Sequence, residues 1–154
     1  MSLILKNRTV FNSLYQLDKT CFTKQNATED KPLLPAGVLG GSVAAIKVGG
    51  DSYTVVPADG TANTKAIGLF VNNAAGNPWD NAPAVASNKI AIAQKLASVE
   101  VDVYEDEEFA VGDSLYASEN GYLTKTKGAD ETVIGVVTKV PTLADPFLGL
   151  ELSI

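Results

Sequence analysis

Few residues in this chain could do chemistry, and their spacing narrows the possibilities further. Four carboxylates run together at Glu105-Asp106-Glu107-Glu108. A calcium ion would need convergent oxygens at defined loop offsets, and the EF-hand spacing is absent. The run reads instead as a solvated turn that keeps the surface acidic. A pair of carboxylates can hydrolyse a glycosidic bond, but nothing in the sequence singles out two acids facing one cleft. The sequence contains no histidine. That removes the commonest general base and transition-metal ligand, and with them Ser-His and Cys-His activation of a nucleophile. Cys21 is the single cysteine, lies in a polar segment and is expected to be a neutral thiol. Gly37-Val38-Leu39-Gly40-Gly41 lacks the lysine and serine of a phosphate-binding loop, so its glycines read as tight turns. The expectation is no catalytic residue, no cofactor and no metal.

Charge and length point the same way. A net charge of −6 over 154 residues does not attract phosphate backbones, so nucleic acid is not an expected partner. The length suits one domain with a real core. No apolar run approaches the length needed to span a bilayer, so no membrane partner is expected. Met1 to Lys6 is too short for the core of a signal peptide. The sequons Asn7-Arg8-Thr9 and Asn26-Ala27-Thr28 therefore have no secretory context. The lone cysteine suits synthesis in a reducing cytosol.

The elements that could position a site are strands and turns. Two stretches carry the same punctuation. The first runs from Leu34-Pro35-Ala36-Gly37-Val38 through Ala45-Ile46-Lys47-Val48, turns at Gly49-Gly50-Asp51, returns through Tyr53-Thr54-Val55-Val56 and closes on Ile67-Gly68-Leu69-Phe70-Val71. The second runs from Phe109-Ala110-Val111-Gly112-Asp113 through Leu115-Tyr116, turns at Asn120-Gly121, returns through Tyr122-Leu123-Thr124 and closes on Ile134-Gly135-Val136-Val137. Each is a lead-in turn, a hairpin, a polar loop and an apolar strand opened by Ile-Gly. The expected fold is an all-β barrel of two similar halves. Period-two alternation places Ile46, Val48, Val55, Ile67, Leu69, Val99, Val101, Val103, Leu115, Leu123, Ile134, Val136, Leu148 and Leu150 in its core.

Between the halves, Val85, Ile92 and Leu96 could share a helical face with Ser87 as its cap. Ile90 and Ile92 also alternate with Ala91 and Ala93. That alternation favours Lys89 to Gln94 as the hairpin partner of a strand from Ser98 to Tyr104. Residues 1–31 read as an N-terminal arm ahead of a single β domain at 32–154, set apart by the polar stretch Thr23 to Lys31. The arm's Leu3, Leu5, Val10, Phe11, Leu14 and Leu17 need a surface to cover. The arm is therefore expected to order mainly against a neighbouring chain, because ordering costs about 1–2 kcal/mol per residue. Trp79, in the aperiodic stretch Asn72 to Pro83, is either a partner contact or a cap folded back on the barrel end.

The order Ile90-Ala91-Ile92, Val99 to Glu105, Phe109-Ala110-Val111-Gly112-Asp113-Ser114-Leu115-Tyr116, Gly121-Tyr122-Leu123-Thr124 and Ile134-Gly135-Val136-Val137 resembles capsid decoration (cement) proteins of tailed bacteriophages. Leu34-Pro35-Ala36-Gly37 and Ile67-Gly68-Leu69-Phe70 fit the same pattern, so the likeness covers roughly residues 34 to 152. The resemblance implies a β-tulip or β-clip-like module without enzymatic activity. Such a protein is made in the host cytoplasm and docks on the outer capsid surface of the virion, often as a homo-oligomeric trimer. There it stabilises the expanded head, with an N-terminal arm pairing to a β element of the major capsid protein. The alternative is a carbohydrate- or receptor-binding β module of a head fibre or tail, in which Trp79, Tyr53, Tyr116 and Tyr122 would stack on sugars.

Overall fold

The computed structural model describes residues 3–5, 16–17, 39–51, 54–71, 91–95 and 97–154. Among them are eleven strands and no helix, so the fold is all-β. In chain order the strands are β1 (Leu3–Leu5), β2 (Gln16–Leu17), β3 (Val43–Lys47), β4 (Thr54–Pro57), β5 (Thr64–Phe70), β6 (Ile92–Ala93), β7 (Ser98–Val101), β8 (Ser114–Ala117), β9 (Leu123–Thr124), β10 (Gly135–Lys139) and β11 (Leu148–Leu152).

Both punctuated stretches form their hairpins. Gly49 takes φ 81° in the turn between β3 and β4, where the Gly50 amide donates to the Lys47 carbonyl at 3.0 Å. Asp51 then caps the start of β4, accepting from the Thr54 amide at 2.7 Å and its hydroxyl at 3.0 Å. Gly121 takes φ 76° between β8 and β9, with its amide on the Ser118 carbonyl at 3.0 Å. Both turns need positive φ, which glycine supplies without a Cβ clash.

The strands form a five-stranded sheet in the order β2-β4-β3-β5-β6 and a six-stranded sheet in the order β1-β7-β11-β10-β8-β9. Read from the hairpin outward, the halves match. The first half runs β4-β3-β5-β6 and the second runs β9-β8-β10-β11. The returning hairpin strand has a parallel neighbour in each half. In the first it is β2, with Gln16 opposite Thr54. In the second it is a bridge from Tyr104 to Leu123, flanked by the Glu105 amide on the Leu123 carbonyl at 2.9 Å and the Leu123 amide on the Val103 carbonyl at 3.3 Å. The chain leaving β7 thus returns to the β9 edge and curls the six-stranded sheet into a half-barrel.

One core spans both halves. Val43, Ala45, Val56 and Leu69 from the first pack with Val99, Val101, Leu115, Leu123, Ile134, Val137, Leu148 and Leu150 from the second. Backbone contacts also cross the join. The Val43 amide donates to the Gly121 carbonyl at 2.8 Å. A Cβ on Gly121 would stand 3.0 Å from the Ala58 carbonyl oxygen, so the loops touch main chain to main chain.

Of the expected core residues, Val55, Leu69, Val99, Val101, Val103, Leu115, Leu123, Ile134, Leu148 and Leu150 are buried. Four depart from the expectation. Val48 is 66% exposed because the chain is already turning there, and Val43 and Ala45 take the inward positions while Ile46 is half-buried. Ile67 is half-buried because it is the extra residue of a bulge. Ala44 pairs with Gly68 and Ala45 with Ala66, which leaves Ile67 without a partner. Val136 is 38% exposed and Val137 is buried, because Gly135 takes the inward position opposite Leu115. A further correction concerns β6 and β7, which do not form a hairpin. β6 pairs with β5 in one sheet, and β7 lies between β1 and β11 in the other.

Candidate interaction surface

The arm residues fall in three places. Leu3 packs against the core from β1, which pairs antiparallel with β7 so that Leu3 faces Val101 and Leu5 faces Val99. Leu17 lies in β2 opposite Val55. For Leu3, Leu5 and Leu17 the main-chain strand partners lie within the same chain. A short arm strand is ordered once its main-chain groups find a sheet edge, and β7 and β4 provide one internally. Val10, Phe11, Leu14 and Trp79 lie outside the described residues, as do Cys21, Tyr53 and the lead-in Leu34 to Val38. The test of the sugar-binding alternative, Trp79 and a tyrosine on one shallow face, falls outside them too. Tyr116 and Tyr122 are half-buried around the β8–β9 hairpin.

The acidic run has specific local partners. Glu107 Oε1 accepts from the Thr124 hydroxyl at 2.8 Å and the Lys125 amide at 2.6 Å. Glu105 Oε1 accepts from Asn120 Nδ2 at 3.1 Å, and the Lys125 ammonium donates to the Glu108 carbonyl. These contacts tie the segment after β7 to both ends of the hairpin it seals. Among the described residues, no three of the His, Cys, Asp and Glu side chains converge as a metal site would require.

Two aspartates organise the polar loops. Asp59 accepts from the Thr61 amide at 2.9 Å and from the hydroxyls of Thr61 at 2.7 Å and Thr64 at 2.8 Å. Burial pushes its carboxyl up, but the hydrogen bonds from Thr61 and Thr64 outweigh burial and hold it below the ordinary value. Asp130 is buried. It accepts from the Thr132 amide at 3.1 Å and hydroxyl at 2.7 Å, and from the Ala66 amide of β5 at 2.8 Å. An open cleft of about 500 Å³ lies between Thr64-Lys65 and Ala129 to Thr132. Its oxygens on Thr64, Asp130 and Thr132 already take part in these bonds.

The outward face of the six-stranded sheet carries an ion-pair triad. Lys139 donates to Glu100 at 3.1 Å and to the Asp145 carboxylate. Gly149 lies opposite both Glu100 and Lys139 in the ladders on its two sides. A Cβ on Gly149 would fall inside 3.0 Å of the Lys139 side chain, so this glycine leaves the lysine its path across β11. The hydrogen bonds to Asp145 and Glu100 hold the Lys139 ammonium above its usual value. Nearby, Tyr104 Oη donates to the Pro146 carbonyl at 2.8 Å, and its ring meets Phe109 edge-on at 5.6 Å between centroids. Burial, with Asp102 and Asp106 adding to it, raises the Tyr104 phenol.

Among the described residues this arrangement offers β edges, hydrogen-bonded carboxylates and turn tips, and no nucleophile beside a base. Sequence reasoning missed the most exposed apolar side chains among the described residues, Leu143 at 106% and Val111 at 68%. Both stand on turns outside any alternation. Leu143 is flanked by polar and small residues between Pro141 and Pro146, and that isolation was the available signal.

No protein-family model matches the chain, and no curated protein does.

Proposed function

We propose that this chain is a non-enzymatic structural protein that binds the outer surface of a tailed-phage capsid and stabilises the expanded head. The observation that supports this reading most is the body itself: two like β halves over one core, in the element order on which the resemblance to decoration proteins rests. Each Ile-Gly strand follows a hairpin at the matching place, as β5 in one half and β10 in the other. A protein that binds by shape and strand edges needs no reactive side chain. Repetition over a lattice turns modest single contacts into tight attachment. In this reading the partner is the major capsid protein, the free protein is a homo-oligomer with a trimer the first expectation, and Val10, Phe11, Leu14 and Trp79 are candidate contacts.

The test mixes purified protein with expanded and unexpanded heads of the phage whose genome carries the gene. Co-sedimentation with expanded heads, and a higher temperature of head rupture, are expected. Protein that stays in the supernatant with both kinds of head would refute the reading.

A further inference from the structure

We propose that Asn120-Gly121, in the turn between β8 and β9, is a site of spontaneous deamidation, and that conversion of Asn120 breaks its contact with Glu105 and loosens the seal on the β9 edge. This chemistry needs only the chain and water, and it is independent of the capsid reading.

This is the single Asn-Gly pair in the sequence. Glycine has no Cβ to shield its amide nitrogen, which makes the pair reactive. Asn120 is exposed, so water reaches it. The Gly121 amide nitrogen gives its proton to water and attacks Asn120 Cγ. The new N–Cγ bond closes a succinimide ring. The Cγ–Nδ2 bond breaks, and the leaving nitrogen takes a proton from water to depart as ammonia. A water molecule then opens the ring. Cleavage of the N–Cγ bond leaves aspartate. Cleavage of the bond from that nitrogen to the Asn120 main-chain carbonyl carbon leaves isoaspartate. The sum converts an amide and a water into an acid and an ammonia, with nothing oxidised or reduced.

Both residues of the pair hold other parts of the fold. Asn120 Nδ2 donates to Glu105 Oε1 at 3.1 Å, and the Glu105 amide donates to the Leu123 carbonyl at 2.9 Å. The bridge from Tyr104 to Leu123 lies beside that bond. The Asn120 side chain thus clamps the segment that seals β9. The Gly121 carbonyl accepts from the Val43 amide at 2.8 Å, at the join of the two halves. Exchanging the Asn120 amide for a carboxylate removes the donor. Two acceptors of like charge then face each other with no proton to share. The isoaspartate form also lengthens the main chain just ahead of Gly121, and so displaces the carbonyl that holds Val43. Glu107 keeps its hold on Thr124 and Lys125, so the edge loosens while the hairpin stays formed. The turn sets the pace. The Gly121 amide donates to the Ser118 carbonyl at 3.0 Å, and the Asn120 amide to the Ser118 hydroxyl at 3.2 Å. The Gly121 nitrogen must leave that bond before it attacks, so conversion waits on local opening.

The test incubates full-length protein in mildly alkaline buffer, with and without urea, and maps its peptides by mass spectrometry. The mass gain of an amide-to-acid change is expected at position 120, part of it as isoaspartate, and severalfold faster in urea. The Asn120→Gln variant should show no such gain there. In a second measurement, Asn120→Asp should lower the melting midpoint by about 2–4 °C. Adding Glu105→Gln to the same chain should recover most of that loss, because the glutamine amide donates to the new carboxylate. Folded protein that stays unconverted while the urea sample converts would overturn the site. Equal rates in the two samples would overturn control by the turn. An Asn120→Asp variant that melts as wild type does, or a loss that Glu105→Gln leaves in place, would overturn the link to the seal.

Discussion

In the second half of the molecule, the residues that seal the β9 edge come directly off β7, and the hairpin they seal follows within the same stretch of chain. In the first half, the equivalent parallel seat beside β4 is filled by β2, which the long segment from 18 to 42 separates from β3. The shared strand order, β4-β3-β5-β6 against β9-β8-β10-β11, therefore does not depend on how the flanking strand is supplied. The difference teaches what each half leans on. The second closes through its own acidic segment, with Glu105 and Glu107 gripping the hairpin ends. The first leans on the second for a buried carboxylate and for main-chain contacts at the join. Closing a longer loop costs little extra in equilibrium terms, so both solutions can be stable.

Core truncation should sharpen this contrast most. Leu150→Ala on β11 and Leu69→Ala on β5 should each cost about 2–5 kcal/mol, read from denaturant midpoints. Leu150 should be the costlier, because β11 is held between the longer strands β7 and β10, whereas β5 has the two-residue β6 on one side and can relax towards it. Equal losses would show that the halves are equally able to relax.

The Ile-Gly positions come next. A side chain at Gly68 would run into the Ala93 carbonyl oxygen, and one at Gly135 into that of Glu151. Gly135→Ala should cost about 1–3 kcal/mol, and Gly68→Ala less. β6 is the last strand of its sheet with two paired residues, so it can retreat more readily than β11. A larger loss at Gly68 would reverse that ranking.

Asp130→Ala should cost a further 1–3 kcal/mol or about that, since it strands the Ala66 amide in the interior. Asp59→Ala should cost less, its partners being local and largely exposed. Asp59 also carries a pH signature. Its carboxyl is depressed in the folded state, so its contribution is present above the ordinary value of 3.8 and fades as pH falls through the folded value. Stability curves of wild type and Asp59→Asn should converge at low pH.

The smallest effect lies at alkaline pH. Lys139 is raised above its ordinary 10.5, so its contribution is complete below that value and is lost as pH climbs through the folded one. Tyr104, raised above 10.0, adds to the loss because the fold favours its neutral phenol. Lys139→Met should flatten the alkaline fall in melting temperature.

Much of the scaffold was legible in the residues. The glycines at 49 and 121 marked both hairpins, and the Ile-Gly pairs marked the strands that follow them. The phase of alternation was harder to read. Unpaired residues at Ile67 and at Thr138, where Val137 faces Leu150 but Lys139 faces Gly149, shift which neighbour points inward. No periodicity announces a bulge. Nor does alternation say which strand pairs with which, so β6 and β7 looked like a hairpin although they belong to different sheets. Leu3 was legible as an apolar side chain needing cover, and it packs against the core from the strand beside β7. The exposed turn tips at Leu143 and Val111 escaped notice because pattern reading rewards apolar residues in register and passes over those out of it.

The place of β11 has a consequence for how the chain is made. It is the last of the eleven strands in chain order, yet it lies in the middle of its sheet, between β7 and β10. While the ribosome is still adding residues before Leu148, the bridge from Tyr104 to Leu123 is what links β7 and β1 to β9, β8 and β10, and the edges that β11 will join stay open. The growing chain must carry the facing edges of β7 and β10 unpaired until β11 is made, and then close the sheet in one step. Non-local pairing of this kind folds slowly and leaves a window open to aggregation. A nascent chain of this protein is therefore a natural client for a holding chaperone, while the finished fold has no need of one.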